Sequence, residues 1–146
     1  MGTFTPSAKT IERQWHVIDA KGQVLGRIAS VAARLLQGKH KATWAPFLDT
    51  GDHVVIVNAA SVKLTGKKEE QKIYRQHSGY EGGLREERLK DVRVKKPIRI
   101  VEEAVYGMLP KTKLGRARYG KLKVYAGDKH PHAAQKPQQL KSGEVA

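Results

Sequence analysis

The stretch His53-Val54-Val55-Ile56-Val57-Asn58 decides the class of fold, because it is a continuous apolar run ended by an asparagine. Its length and its β-branched residues favour a strand over a helix. A strand that is apolar on both faces is typical of the interior of a parallel sheet, whose two sides are covered. Pro46 and Gly51 break the chain before this run. We therefore predict a loop from Thr43 to Asp52, followed by a buried strand.

The segment before this strand combines a short strand with a long amphipathic helix. Trp15 to Ala20 is rich in β-forming residues and predicts a first strand. From Val24 onward apolar residues recur every three or four positions, which indicates one buried helix face. Gly38 stands where a C-terminal helix cap is expected. The apolar positions of this face are Leu25, Ile28, Ala29, Ala32, Leu35 and Leu36.

The segment after the buried strand continues the alternation of strands and helices, which predicts a single α/β domain. The predicted elements are a third strand at Lys72 to His77, an exposed helix at Leu84 to Val94, a helix that begins at Pro97 and a final strand at Lys121 to Tyr125. We place a polar lead-in at residues 1–14, the domain at 15–127 and an extended tail at 128–146.

The composition limits the class of function. The 146-residue chain carries 28 Lys and Arg against 14 Asp and Glu, a formal charge of +14. Such an excess destabilises a compact state through self-repulsion, and a polyanionic partner would neutralise it. The absence of cysteine excludes disulfides, a thiol nucleophile and a Cys-ligated metal. No apolar run reaches the length of a membrane span or a signal peptide, so we expect a soluble, cytoplasmic protein without a membrane partner.

The densest positive charge lies between Gly107 and Tyr125, here called the basic segment, which contains no carboxylate. Apolar residues alternate with its cations, and we assign Met108, Leu109 and Leu122 to the core. A surface of one charge sign that is fixed to a core is typical of a nucleic-acid binder. The principal candidate phosphate contacts are its cations, Lys111, Lys113, Arg116, Arg118, Lys121 and Lys123.

Smaller basic clusters lie elsewhere in the chain. Separate clusters suit the converging backbones of structured RNA, which is recognised by shape, by phosphate contacts and by stacking on unpaired bases. For the cluster at residues 39–41, a helix-end group that complements the helix dipole is an equal alternative. The secondary candidates are Lys39, His40, Lys41, Lys67, Lys68, Arg75, His77, His130 and His132. Tyr80, Tyr119 and Tyr125 are candidate stacking residues, and Tyr125 suits the core equally.

Three motifs resemble catalytic or ligand sites but are incomplete. Asp49-Thr50-Gly51 copies the aspartic-protease motif, yet that chemistry needs a second carboxylate and the chain has no second copy. Gly22 and Gly26 lack the dinucleotide spacing, and no Gly-Lys pair is followed by Ser or Thr. The His130-Pro131-His132 pair could bind a metal, but no Cys or nearby carboxylate pair completes the site. We therefore predict no enzymatic activity, no cofactor and no small-molecule substrate.

A series of ordered motifs identifies a family resemblance over about Trp15 to Pro137. The motifs are Leu25-Gly26-Arg27, Gly38 to Lys41, Asp49 to Asp52, Val57-Asn58-Ala59, Gly82-Gly83, Gly107 to Pro110, Leu114-Gly115-Arg116, Leu122 to Gly127 and a His-Ala-Ala-Gln run before Pro137. Together they resemble the bacterial form of the ribosomal protein L13 family. Two positions depart from the family pattern: Tyr106 stands where a lysine is common, and Gln76 to Tyr80 replaces a more histidine-rich version.

The resemblance implies a three-layer α/β/α fold around a mostly parallel four-stranded sheet. It further implies a structural, non-catalytic protein that binds large-subunit (23S) ribosomal RNA through basic loops and supports early assembly of the subunit beside neighbouring ribosomal proteins. Two alternatives come from other classes of function. A free-standing regulator would bind one short RNA outside the ribosome, and a nucleotide-dependent enzyme would bind a mononucleotide saturably.

Overall fold

The computed structural model of the protein describes residues 6–140. Helices and strands alternate along it, with short 3-10 turns at Ala8–Thr10, Ala59–Ser61 and Ala133–Gln135. In chain order the elements are β1 (Trp15–Asp19), α1 (Leu25–Gln37), β2 (His53–Val57), α2 (Lys68–Gln71), β3 (Ile73–His77), β4 (Leu84–Arg88), α3 (Leu89–Lys95), α4 (Pro97–Met108), α5 (Lys113–Tyr119), β5 (Leu122–Val124) and β6 (Gln138–Leu140).

The centre of the fold is a four-stranded sheet with the order β5–β2–β1–β6 and parallel pairing throughout. β2 is an interior strand, and its residues 54–57 are all buried. Val54 and Ile56 face the main core, whereas Val55 and Val57 face a smaller cluster on the other side. The prediction of a parallel strand that is apolar on both faces is confirmed, and so is the α/β fold class.

Helices α1 and α4 pack against each other over one face of the sheet. α1 ends as predicted at Gly38, whose φ of +78° is a left-handed conformation that suits glycine; its N–H donates to the carbonyls of Arg34 and Leu35. The opposite face is covered more thinly, by Trp15 and Tyr125. Within residues 6–140, no helix has both the length and the apolar character needed to cross a membrane.

A separate two-stranded sheet corrects one prediction. β3 and β4 form an antiparallel hairpin in which Tyr74 lies opposite Glu87 and His77 lies opposite Leu84. The predicted exposed helix at 84–94 is therefore wrong over its first half, and only residues 89–95 are helical. Helical periodicity was weak in this charged segment, so pairing with β3 decided its structure.

Three smaller differences concern the ends of predicted elements. Met108 is 44% exposed at the end of α4, so its assignment to the core is wrong, whereas Leu109 and Leu122 are buried as predicted. The short helix α2, which begins at Lys68, is an element that the sequence does not predict. The fourth strand of the main sheet, β6, comes from the segment expected to be an extended tail, and it pairs with β1. The last residues of that tail lie outside the described range.

Candidate nucleic-acid interface

Helix α5 presents the exposed cations of the basic segment. The helix begins after Thr112, whose Oγ1 accepts a hydrogen bond from the N–H of Gly115 at 3.2 Å. Lys113 and Arg116 are three residues apart, so they share one side of the helix. Both are exposed, and neither makes an ion pair or a side-chain hydrogen bond with any residue from 6 to 140. Their charges are therefore available to a partner.

Two further cations of the basic segment are also exposed. Lys111 donates to the carbonyl of Tyr106 at 2.6 Å, and its Nζ lies 3.6 Å from the centre of the Tyr106 ring. This contact positions the ammonium group without neutralising it. Lys123 lies on the edge strand β5 with its side chain in solvent.

The remaining two cations of this segment are turned into the protein. Arg118 is 4% exposed and donates to the carbonyl of Leu48 at 2.9 Å. Lys121 is 8% exposed and donates to Asp49 Oδ1 at 2.6 Å and to the carbonyl of Gly51 at 2.8 Å. These contacts hold the loop at residues 39–52 against α5 and β5. That Arg118 and Lys121 contact RNA stays a prediction, and their burial gives it no support.

The same loop is fixed at a second point by the buried carboxylate of Asp52. Asp52 is fully buried and accepts hydrogen bonds from His16 Nε2 at 3.2 Å, His40 Nε2 at 2.9 Å and Lys41 Nζ at 2.5 Å. It also accepts from the N–H of Gln14 at 2.9 Å. Lys41 and His40, both predicted as phosphate contacts, are thus used in part to fix the loop. Their contacts with Asp52 differ from both sequence-based alternatives, a phosphate contact and a helix-dipole group, and both of these stay predictions.

The electrostatics of this cluster favour an ionised Asp52. Burial alone would raise the pKa of Asp52, but the hydrogen bonds from His16 and Lys41 outweigh it and hold that pKa well below its ordinary value. Burial lowers the pKa of His40, against the opposing effect of Asp52, so neutral imidazole is favoured there.

Among residues 6–140, His16, His40 and Asp52 are the group whose donor atoms are close enough to share a metal ion. The Lys41 ammonium on the same carboxylate disfavours a second cation.

The secondary candidates are distributed over several surfaces. Lys39, Lys67 and Lys68 are exposed. Arg75 is exposed on β3 but forms an ion pair with Glu86 at 2.6 Å. His77, at the end of the hairpin strand, accepts a hydrogen bond from the N–H of Gly79 at 2.9 Å.

His130 and His132 belong to an aromatic cluster on the thinly covered face of the sheet. Trp15 stacks on His53 at 4.3 Å and contacts His132 at 5.0 Å, while His130 and His132 stack at 6.2 Å. The hydroxyl of Tyr125 lies 2.8 Å from His132 Nε2. Burial lowers the pKa values of His53 and His132. Tyr125 is half-buried in this cluster, which agrees with the core alternative.

Positive charge is unevenly distributed over the molecule. Residues 69–103, here called the mixed-charge region, contain eight of the 14 acidic residues together with nine Lys and Arg. Three of its cations form ion pairs with glutamates, each at 2.6 Å: Arg75 with Glu86, Arg93 with Glu69, and Arg99 with Glu87 and Glu103. Thirteen of the 14 excess positive charges therefore lie outside this region. A polyanion is attracted to the other surfaces, which include α5 and the loop at 39–52.

Two exposed aromatic residues were missed by the sequence analysis. Trp44 is 39% exposed and Phe47 is 64% exposed, and both lie in the loop at 39–52. The feature of the sequence that could have indicated them is a pair of large aromatic residues in a loop, shortly after two lysines. Of the three tyrosines proposed for stacking, Tyr80 is 80% exposed in the hairpin turn, whereas Tyr119 is half-buried edge-on against Tyr106.

Comparison with known proteins gives a consistent result over nearly the whole chain. Residues 13–131 match the family model described as Ribosomal protein L13. The chain is 61% identical over 137 residues to the large ribosomal subunit protein uL13 of Solibacter usitatus, covering 94% of this chain and 96% of that protein. Identity to the protein of the same name is 56% over 146 residues in Beutenbergia cavernae, covering 100% of this chain and 99% of the relative. Identity to the protein of the same name in Dictyoglomus thermophilum is 57% over 140 residues, covering 96% of this chain and 99% of the relative.

Proposed function

Because this chain belongs to the ribosomal protein L13 family, we propose that it is a structural constituent of the large ribosomal subunit and binds the large-subunit (23S) ribosomal RNA. We further propose that it acts in the cytoplasm as part of the ribosome and joins the subunit early in assembly. Membership in this family confirms the recognised resemblance and agrees with a non-catalytic role.

The observation that carries the RNA-binding proposal is the uneven charge: eight carboxylates offset the nine Lys and Arg of the mixed-charge region, whereas the basic segment has no carboxylate. In the mixed-charge region, Arg75, Arg93 and Arg99 are neutralised by glutamates of the same chain. On α5, the exposed Lys113 and Arg116 have no such partner among residues 6–140. Unpaired cations on a surface with a large charge excess are suited to phosphate, because binding releases counterions from the RNA. We propose Lys111, Lys113, Arg116 and Lys123 as the principal phosphate contacts, with Lys39, Lys67 and Lys68 in support.

The buried cations serve this surface indirectly. Arg118 and Lys121 bind carbonyl and carboxylate oxygens of the loop at 39–52 and hold it beside α5 and β5, whereas Lys41 links two parts of that loop. A surface whose parts are fixed before binding loses less conformational entropy when RNA is bound. In this proposal Arg118, Lys121 and the partly buried Lys41 position the interface, and the exposed cations contact the RNA.

Salt dependence tests the electrostatic part of the proposal. If about 6–10 phosphates are neutralised, raising the salt concentration from about 50 to 200 mM weakens binding to 23S RNA by about 10³–10⁵-fold. The measurement is fluorescence anisotropy of the labelled protein titrated with the RNA at several salt concentrations. A nearly flat dependence would contradict the proposal.

A matched pair of triple variants tests the location of the surface. Replacing Lys111, Lys113 and Arg116 by alanine removes three cations that form no ion pair within residues 6–140, so RNA affinity falls. The salt slope, which is the slope of log affinity against log salt concentration, becomes shallower by about three. The control replaces Lys90, Lys95 and Lys96, three exposed lysines of the mixed-charge region, by alanine. It removes the same charge but leaves RNA affinity nearly unchanged. Equal losses in both variants would show that only net charge matters.

Sedimentation tests the assignment to the ribosome against the regulator alternative. In a sucrose gradient of a cell lysate, the protein should co-migrate with the large subunit and remain there after a high-salt wash. Early assembly requires that it also be present in precursor particles after a short labelling pulse. Residence in the slowly sedimenting fraction would favour a free-standing RNA regulator.

A neighbouring ribosomal protein is the partner that we propose for the mixed-charge region. Its balanced charge gives RNA little attraction, and it exposes Leu84 at 56% and Val94 at 86%. Apolar side chains among paired charges resemble a protein interface more than a phosphate-binding surface. Cross-linking from a photoreactive group at position 94 in assembled subunits should yield protein adducts. Adducts to RNA alone would contradict this assignment.

A further inference from the structure

We propose that Trp44 and Phe47 form a stacking site for unpaired nucleobases, which deepens the proposed RNA-binding function by naming the part of the RNA that is recognised. The two side chains are among the exposed large hydrophobic residues, at 39% and 64% exposure. Between them Ala45 is 5% exposed and anchors the backbone. The loop therefore inserts its small residue into the protein and directs its two large aromatic rings outward.

The loop that carries these rings is fixed from several directions. Lys41 Nζ donates to the carbonyls of Glu12 at 2.7 Å and Thr50 at 3.2 Å. Arg118 holds the carbonyl of Leu48, the residue after Phe47, at 2.9 Å. Exposed aromatic rings on a mobile loop would lose conformational entropy on binding, whereas rings on this anchored loop lose little. Such pre-organisation is a property of a ligand-binding site.

Cations beside the rings supply the complementary charge for a nucleotide. Lys39 Nζ lies 5.9 Å from the centre of the Trp44 ring, at the outer limit of a cation–π contact, and it remains exposed. Arg118 ties the loop to α5, which carries the exposed Lys113 and Arg116. Aromatic rings that stack on bases beside cations that bind the backbone are the two components of single-strand recognition.

Other exposed aromatic residues fit this role less well. Tyr80 belongs to the hairpin of the mixed-charge region, where acidic and basic residues nearly balance. Tyr125 is half-buried, and its hydroxyl is within hydrogen-bond distance of His132 Nε2. Only Trp44 and Phe47, among these residues, combine exposure, a fixed loop and an adjacent unpaired lysine.

The fluorescence of Trp44 provides a direct test. The chain contains two tryptophans, so the Trp15→Phe variant leaves Trp44 as the reporter. The full-length protein is titrated with a short unstructured RNA oligonucleotide and, separately, with an RNA duplex of the same length. We expect the single strand to quench Trp44 emission by stacking, and the duplex to bind through its phosphates without quenching.

Substitutions complete the test. Trp44→Ala and Phe47→Ala should each weaken single-strand binding by about 5- to 150-fold, the range for loss of one base–aromatic stack. Duplex affinity and the salt slope should not change. Phe47→Leu keeps an apolar side chain but removes the ring, and it should weaken single-strand binding as Phe47→Ala does. Because Phe47 is the more exposed residue, its variants remain informative if Trp44→Ala unfolds, and the thermal midpoint of each variant is measured.

The outcomes separate this site from the proposed function. If the protein binds both RNAs, the single strand does not quench Trp44 and the aromatic variants leave single-strand affinity unchanged, the stacking site is overturned and RNA binding stands. If neither short RNA is bound but 23S RNA is, the stacking site is overturned and the proposed function stands. If 23S RNA is not bound either, both proposals fail. If the variants bind RNA normally but are not incorporated into large subunits reconstituted with a full set of proteins, the two rings contact a protein and the stacking site is overturned.

Discussion

Lys121 Nζ lies 2.6 Å from Asp49 Oδ1, although the two residues are 72 positions apart in the chain. One belongs to the basic segment and the other to a motif that copies an aspartic protease. Their contact gives both a structural role: the lysine is 8% exposed, and the carboxylate is partly buried beside it. The loop that contains Asp49 is thereby joined to the edge strand β5.

Replacing Lys121 by methionine should reduce stability rather than RNA affinity. The change leaves the Asp49 carboxylate and the Gly51 carbonyl without their ammonium donor, at a cost of about 3 kcal/mol in the free energy of unfolding. Urea denaturation followed by circular dichroism measures this cost. Lys123→Met is the control, because that exposed neighbour should change stability by less than about 0.5 kcal/mol while weakening RNA binding. The reverse pattern would make Lys121 an RNA contact.

Asp52→Asn should destabilise the protein strongly. The substitution removes the buried negative charge that Lys41, His16 and His40 share, and it places an amide N–H₂ where only acceptors fit. Breaking a buried ion pair in this way costs about 3–5 kcal/mol in the free energy of unfolding. Asp128→Asn changes an exposed carboxylate and should cost less than about 0.5 kcal/mol. Similar denaturation midpoints for the two variants would show that the Asp52 cluster contributes little.

Acidification should destabilise the protein in two stages. The pKa values of His40, His53 and His132 are lowered by burial, so the unfolded state binds more protons once the pH falls below about 6.5. Stability is therefore lost as the pH falls from that value through the lower folded-state pKa values. The lowered pKa of Asp52 adds a second loss below about pH 4, where the unfolded carboxylate protonates first.

Denaturant titrations at a series of pH values measure both stages. In the Asp52→Asn variant the stage below about pH 4 should become smaller, because its main carboxylate is gone. A free energy of unfolding that stays constant between about pH 7 and 5 would contradict the contribution of the three histidines.

Two glycine-to-alanine changes should have opposite effects on stability. A Cβ at Gly51 would lie 1.7 Å from the carbonyl oxygen of Leu36, so the loop would have to move away from the end of α1. We expect a loss of about 2–3 kcal/mol, as for overpacked sites. Gly26 lies within α1, and a Cβ there meets no atom within 4 Å. Gly26→Ala should therefore stabilise the helix by about 0.5–1 kcal/mol.

Thermal denaturation of both glycine variants, run beside the unchanged protein, makes the comparison. If Gly51→Ala retains the original midpoint, the loop is not held against α1 as closely as the structure indicates.

The sequence by itself determined the elements that carry a strong local pattern. The apolar period from Leu25 to Leu36 and the glycine at position 38 define α1, since a helix needs only neighbouring residues to bury one face. The β-branched run at 53–57 likewise defines an interior parallel strand. The charge excess indicated a polyanionic partner, and the ordered motifs identified the family. None of these inferences needed to know which distant segments meet.

Only the tertiary structure decided how residues of the same type differ. Arg116 and Arg118 are two positions apart in one helix, yet Arg116 is exposed and Arg118 is buried against Leu48. The hairpin strand at 84–88 and the strand β6 also depend on pairing, with β3 and β1 respectively. A local pattern depends only on residues that are close together in the chain. Burial and strand pairing depend on contacts between segments that are far apart in the chain. Those contacts separate the cations that position the loop from the cations that remain exposed.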